Sequence, residues 1–304
     1  MPYLALIRLF VLALAVCAGG QAHAGAAVLL VLGDETDAHQ ATATAFRLGL
    51  PPGTTVEQID WAALTAERLR NRQLIVSVGG QAARAIAEAA PSAAVVHTLL
   101  TRAAFARLPP APDPSMVTAI FLDQPAARQI ALIRLALPEA RRLALLAGPS
   151  SGELVDELAA AARQQGMEPV RAKVSSDRDL FAALQQVFSE PAVLLATPDP
   201  AVFNSYTVQN VLLTAYRHRS PVVGFSPAYA RAGAALALYA TPEQIGAQAA
   251  AAARAVLAGG RLPPPAPARE FEVSVNKNVA RSLGIALGDG QTLARALRRE
   301  EHSR

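Results

Sequence analysis

Cysteine is nearly missing from the 304-residue sequence. The single thiol, Cys17, lies within the first two dozen residues, so the rest of the chain forms no disulfide and does no thiol chemistry. Lysine is almost as scarce, with Lys173 and Lys277 alone among 28 basic residues, and charged side chains make up only 17% of the chain. Set against 52% hydrophobic residues, that low share excludes a disordered or strongly acidic protein. The formal charge of +4 is spread along the sequence and does not gather in a basic stripe interleaved with aromatics, so no nucleic-acid partner is expected.

Catalytic and metal-binding patterns are lacking as well. His39, His97, His218 and His302 show neither H-x-x-x-H nor H-E-x-x-H spacing, so no metal is expected. There is no G-x-x-x-x-G-K phosphate loop and no G-x-S-x-G nucleophile elbow, and no cofactor is expected. The acidic pairs Asp34-Glu35 and Glu300-Glu301 are neighbours in sequence, which does not set two carboxylates across a bond. An enzyme is therefore disfavoured.

What is present begins with an export signal. Arg8 supplies the charged start, residues 9–18 the apolar stretch, and Ala22-His23-Ala24 a small-residue cleavage site, so residues 1–24 are expected to be removed. Leu14-Ala15-Val16-Cys17 resembles a lipid-attachment box, but Val16 fits poorly before a modified cysteine, and ordinary cleavage is the expectation. The apolar stretch is too short to span a membrane, which takes about 20 residues. A periplasmic location follows.

From residue 27 onward, short β-branched or aliphatic runs alternate with helical patterns, as in βαβ units with parallel sheets. Strands are expected at 27–32, 54–59, 73–78, 95–99 and 117–122, with helices at 38–48, 61–70 and 82–89 and a proline-rich connection at 108–114. A second series follows. Its strands are expected at 142–147, 170–174, 192–196, 221–225 and 236–240, with helices from 125 to before Pro138, from 150 to 166, and at 177–188, 202–218 and 242–257. Residues 271–275 are extended and precede a short terminal helix. At 304 residues the chain is long enough for two α/β lobes.

The stretches 204–214 (NSYTVQNVLLT), 221–227 (PVVGFSP), 232–234 (AGA) and 239–246 (YATPEQIG) resemble the solute-binding proteins of ABC importers, in the branch of uncharacterised or tryptophan/tyrosine-type components. Residues 271–276 (FEVSVN) and 280–285 (ARSLGI) are similar to that family's closing strand and terminal helix. The resemblance implies the type I periplasmic binding fold, two Rossmann-like parallel-sheet lobes joined by three crossings near Leu122, Ala240 and Asn276. Lobe 1 would then comprise residues 25–122 and 241–275, and lobe 2 residues 123–240 and 276–304.

Open α/β sheets bind ligands beyond the carboxyl ends of their strands, where helix N-termini offer free N–H groups, so the candidates are strand-end residues. Gly79, Gly80 and Gln81 follow the strongest strand, where backbone can approach a ligand carboxylate or simply make a tight turn. Ser150 and Ser151 precede a helix, and Ser150 with Glu153 fits a capping box beside the cleft. Asp199, between two prolines, is either a helix cap or the receptor of a ligand ammonium. Tyr239 sits before an expected crossing, where its ring can cover an apolar group. Ser226, Tyr229, Asp34 and Thr98 complete the rim.

The resemblance implies an importer component that binds a small ligand, an amino acid for example, and delivers it to an ABC permease in the inner membrane. A monomer is expected. A ligand sensor feeding a membrane receptor uses the same clamshell and stands as the alternative, which adjoining genes would decide.

Overall fold

The computed structural model describes residues 27–302, and the expected export signal, its cleavage site and Cys17 lie outside them. The first series runs β1 (Val28–Leu32), α1 (Asp37–Leu48), β2 (Val56–Asp60), α2 (Ala66–Leu69), β3 (Leu74–Val78), α3 (Gly80–Ala89), β4 (Ala94–Leu100), α4 (Arg102–Ala106) and β5 (Val117–Phe121). The second runs α5 (Ala126–Ala136), β6 (Arg142–Ala147), α6 (Gly152–Gln164), β7 (Glu168–Lys173), α7 (Asp177–Val187), β8 (Val193–Leu195), α8 (Val208–Arg217), β9 (Val222–Gly224), α9 (Pro227–Ala232) and β10 (Leu236–Tyr239). The chain goes on through α10 (Pro242–Leu257), β11 (Ala266–Pro267), β12 (Glu272–Val275), α11 (Lys277–Ser282) and α12 (Gly290–His302).

The strands form two six-stranded sheets of matching order. The first is β2-β1-β3-β4-β5-β11, parallel throughout. The second is β7-β6-β8-β9-β10-β12, parallel except for β12, which runs antiparallel to β10. Successive side chains of a strand alternate in direction, so each central strand feeds two cores. Val28 and Leu30 pack with Phe46 of α1 and Ile245 of α10, whereas Leu29 and Val31 pack with Ile86 of α3. In the second sheet Leu143 and Leu145 face α5 and α6, while Ala144 and Leu146 face α7 and α8. Helices α1 and α10 approach closely because Gly246 lacks a Cβ, which would strike the Thr42 carbonyl oxygen.

Three expectations need correction. Residues 61–70 are not one helix: a 3-10 turn over Trp61–Ala63, capped by Asp60, is separated from α2 by extended backbone at Leu64 and Thr65. Residues 202–207 do not begin α8, because Asn204 Oδ1 accepts the N–H groups of Tyr206 at 2.8 Å and Thr207 at 3.1 Å and so folds the chain into a turn. Residues 272–275, assigned by expectation to lobe 1, pair with β10 of the second sheet, since Leu236 registers against Val275 and Tyr239 against Glu272. The third passage between sheets therefore lies between Pro267 and Glu272, not near Asn276.

That passage is clamped. The Phe271 ring is sandwiched by two guanidinium groups, Arg128 at 4.3 Å and Arg298 at 4.9 Å from its centroid. Buried Arg128 also donates to Gln124 Oε1 at 2.9 Å, the Ala268 carbonyl at 3.0 Å and Glu301 Oε1 at 2.6 Å. One side chain thus ties two passages to helix α12.

Candidate functional site

Each sheet reverses its strand order at the second position, between β1 and β3 and between β6 and β8, which is where a ligand crevice opens in such folds. The loops there are held by backbone. Gly33 N–H donates to the Val78 carbonyl at 2.8 Å and Gly79 N–H to the Thr98 carbonyl at 2.9 Å. Gly79 has a φ of 95°, and a Cβ on it would collide with the His39 imidazole, so glycine is required both for the turn and to seat His39.

A cleft of about 480 Å³ opens between the two sheets. His39, Leu99 and Leu122 contribute from the first sheet's side, and Leu154, Phe225, Ser226 and Tyr239 from the second's. Asp123, Gln124 and Gln129 stand at the first passage between them. Among the described residues no lysine or arginine lines this space, and Asp123 is the one acid that does. A second cavity of about 370 Å³ adjoins it through the shared residues Asp123, Leu154 and Pro198, and here Arg102, Arg107 and the Ser150–Glu153 turn form the wall.

Asp123 is the junction of the two spaces. Its Oδ2 accepts the Arg102 N–H at 2.6 Å, and burial pushes its carboxyl above the ordinary 3.8, an effect the Arg102 charge opposes and the Glu157 charge reinforces. Gln124 Nε2 is buried at this same passage with no hydrogen-bond partner among the described residues. Burial likewise lowers the His39 imidazole below 6.5, partly countered by Asp34. Across the rim, Arg102 of α4 pairs with Glu157 of α6 at 2.8 Å, and Arg107 reaches the Pro149 carbonyl at 3.5 Å.

Among the expected site residues, Ser226 and Tyr239 line the larger cavity, and Ser150 and Ser151 line the smaller. Tyr239 is held by its hydroxyl, 2.8 Å from Ser274 Oγ. The capping box of Ser150 with Glu153 does not form: Ser151 occupies the cap position, makes no side-chain cap bond, and instead accepts the Gly148 N–H at 3.0 Å.

Asp199 is fully buried, accepting N–H groups from Ser150 at 2.8 Å and Ala201 at 3.0 Å, so it offers a ligand ammonium no surface. Tyr229 is also core, packed on Phe225 at 4.8 Å, with burial pushing its phenol up. Thr98 is buried and donates to the Ser77 carbonyl at 2.7 Å. Gly79 is buried, whereas Gly80 and Gln81 are exposed at the start of α3, and none of the three lines either cavity. Asp34 is exposed and accepts the Glu35 N–H at 2.7 Å. Asp123, His39 and Gln124 were not among the expected residues, although Asp123 lies two residues beyond the end of β5, at the crossing, where the strand-end rule selects it. Among the described residues no cluster of His, Cys, Asp and Glu could hold a metal, and no helix is long and apolar enough to cross a membrane.

Two parallel-type sheets of matching order, three passages between them and a cleft beyond the carboxyl ends of their strands define a two-lobed binding protein of the type I periplasmic class. Solved structures share this architecture. A conserved domain protein from Vibrio cholerae is 23% identical with a TM-score of 0.62, the match covering 87% of this chain and 96% of that one. The ligand-free, open structure of a substrate-binding protein with adhesive properties from Clostridium difficile is 17% identical with a TM-score of 0.69, covering 86% and 95%. An ABC domain in complex with L-Trp from Streptococcus pneumonia is 16% identical with a TM-score of 0.60, again covering 86% and 95%. No curated protein sequence matches the chain. The family model for ABC transporter substrate binding protein matches residues 59–298, and the chain belongs to that family. It is a binding protein, not an enzyme.

Proposed function

We propose that the chain is the exported, periplasmic binding component of an ABC importer. It acts as a monomer that closes two lobes about the three passages on an amine-bearing small molecule with an apolar or aromatic body, and passes it to an inner-membrane permease. The observation that carries the ligand class is the position of Asp123 between an apolar cavity free of lysine and arginine and a smaller one walled by Arg102 and Arg107. An amino acid fits that polarity. Its ammonium meets Asp123, its carboxylate turns to the arginine side, and its side chain lies against Phe225, Leu122 and Tyr239.

Native mass spectrometry of the exported protein should find such a molecule co-purifying. Calorimetric titration with L-Trp as the probe, on wild type and Asp123→Asn, tests the recognition. A hydrogen bond to a charged group contributes about 1.5–3 kcal/mol, so loss of the charge should weaken binding roughly 10- to 100-fold. Equal affinities, or a co-purified ligand without an amine, would remove the reading.

A further inference from the structure

A cavity of about 450 Å³ lies away from the cleft, on the outer face of the first sheet. It exists because the crossover between β4 and β5 has only a five-residue helix, α4, to cover the sheet. The run 108–114, which includes Pro109, Pro110, Pro112 and Pro114, carries the chain across the rest of that face. Proline fixes φ and lacks an N–H, so this roof is stiff, presents no backbone donor at four positions, and cannot sink to fill the space. Ile86 and Ala87 of α3, Val95 of β4, Phe105 of α4 and Pro265 form the remaining walls.

Among the described residues no charged side chain lines the cavity, and one polar side chain does, that of His97. His97 is almost wholly buried, beside the Phe105 ring at 5.9 Å, and its Nδ1 lies 2.7 Å from Ser77 Oγ on the neighbouring strand. The serine hydroxyl, itself fully buried, has this one hydrogen-bond partner among the described residues, and the tautomer that pairs its proton is the one in which it donates to Nδ1 and the imidazole proton sits on Nε2. In that tautomer Nε2–H is the ring donor that His97, a lining residue of the cavity, has left to offer a ligand.

We propose that this cavity is a second ligand site, taking a small neutral ring or branched hydrocarbon that carries one hydrogen-bond acceptor, such as a carbonyl, for His97 Nε2. A charged ligand is excluded because no countercharge is present and its desolvation would go uncompensated. A wholly apolar ligand would leave the buried imidazole donor unpaired. The cavity lies within the size range of small-molecule sites, about 300–1,000 Å³.

The test titrates the ¹⁵N-labelled protein with acetophenone and follows the His97 ring nitrogens by long-range ¹H–¹⁵N correlation. A saturable shift at Nε2 is expected, and ethylbenzene, which matches the ring but lacks the oxygen, should bind about threefold to tenfold more weakly. Ala87→Phe, and independently Ala111→Leu, should block the shift with the amide spectrum otherwise intact. The cleft variant Tyr239→Ala should leave it unchanged. No saturation, equal binding of the two probes, survival of the shift in both filled variants, or its loss in Tyr239→Ala would each overturn the assignment.

Discussion

Asp199 Oδ2 accepts the Ser150 N–H at 2.8 Å, so the turn after β6 is suspended from the turn after β8. The carboxylate has its second bond to Ala201 N–H within its own turn and is shut off from solvent. Removing it leaves two part-buried donors unpaired, at no more than about 1–3 kcal/mol each. Asp199→Ala should lower the denaturation midpoint accordingly, while Asp199→Asn, whose amide oxygen still accepts, should lose less. Affinity for the probe in Asp199→Asn should stay near wild type, in contrast to Asp123→Asn.

The Arg102–Glu157 pair bridges the two sides of the cleft between side chains that are each about half exposed. Such pairs contribute about 0.2–1 kcal/mol and are screened by salt. Small-angle scattering should therefore give a larger radius of gyration for Arg102→Ala than for wild type, and wild type should approach the variant as salt is raised. A variant indistinguishable from wild type at low salt would mean that the pair does not hold the lobes together.

Burial lowers His97 from 6.5 to about 4. The unfolded chain binds a proton on this imidazole between those values and the folded chain does not, so stability is full above about pH 6.5 and is lost as pH falls toward 4. Over that window one such group amounts to about 3 kcal/mol. Carboxylates titrate at the acid end too, so the measurement is the difference between urea melts of wild type and His97→Gln, which should narrow steadily from pH 7 to pH 4.

The Asp123 carboxyl lies above the usual 3.8 because it is buried. An ammonium ligand requires the ionised form, so affinity for L-Trp should decline with acidification sooner than for a receptor with an exposed carboxylate. Asp123→Asn should flatten that dependence in calorimetric titrations across pH 4 to 7.

Arg128→Ala should be the most damaging single change at the passages. It removes the buried cation that satisfies Glu301, Gln124 and the Ala268 carbonyl together and opens one face of Phe271. Breaking a fully buried ion pair from one side costs about 3–5 kcal/mol, and because the Glu301 side chain is 31% exposed the loss here should fall below that range. Thermal melts should show that loss, and Glu301→Gln, which keeps an acceptor, should show less.

The sequence carried the sheets well because a strand buried on both faces needs a near-continuous apolar run, and 28–32 is such a run while 74–78 is one interrupted only by Ser77. It misread 202–207 because the helical spacing of apolar residues continues through a turn made by the Asn204 side chain. At the site, the strand-end rule found Ser150, Ser151, Ser226 and Tyr239, whose turns do border the cavities. It did not tell Asp199 from Asp123. Both acids sit in the turn beyond a strand, and which carboxylate turns inward to bond backbone and which faces the cleft is set by neighbouring strands far apart in sequence. The place of 272–275 was hidden for the same reason, since an extended segment does not state its pairing partner.

The segments after Tyr239 complete both halves: α10 and β11 cover and extend the first sheet, and β12 and α12 do the same for the second. A chain emerging from its N-terminus can therefore close the core under α10 and the core under α12 only after the residues beyond 240 are made, because those closing contacts span long loops that must be ordered first, whereas the cores on the opposite faces of the two sheets need nothing beyond residue 234. Ribosome-bound fragments ending before residue 240 should hold one face of each sheet covered and the other bare, and so be cut by protease more readily than the finished chain.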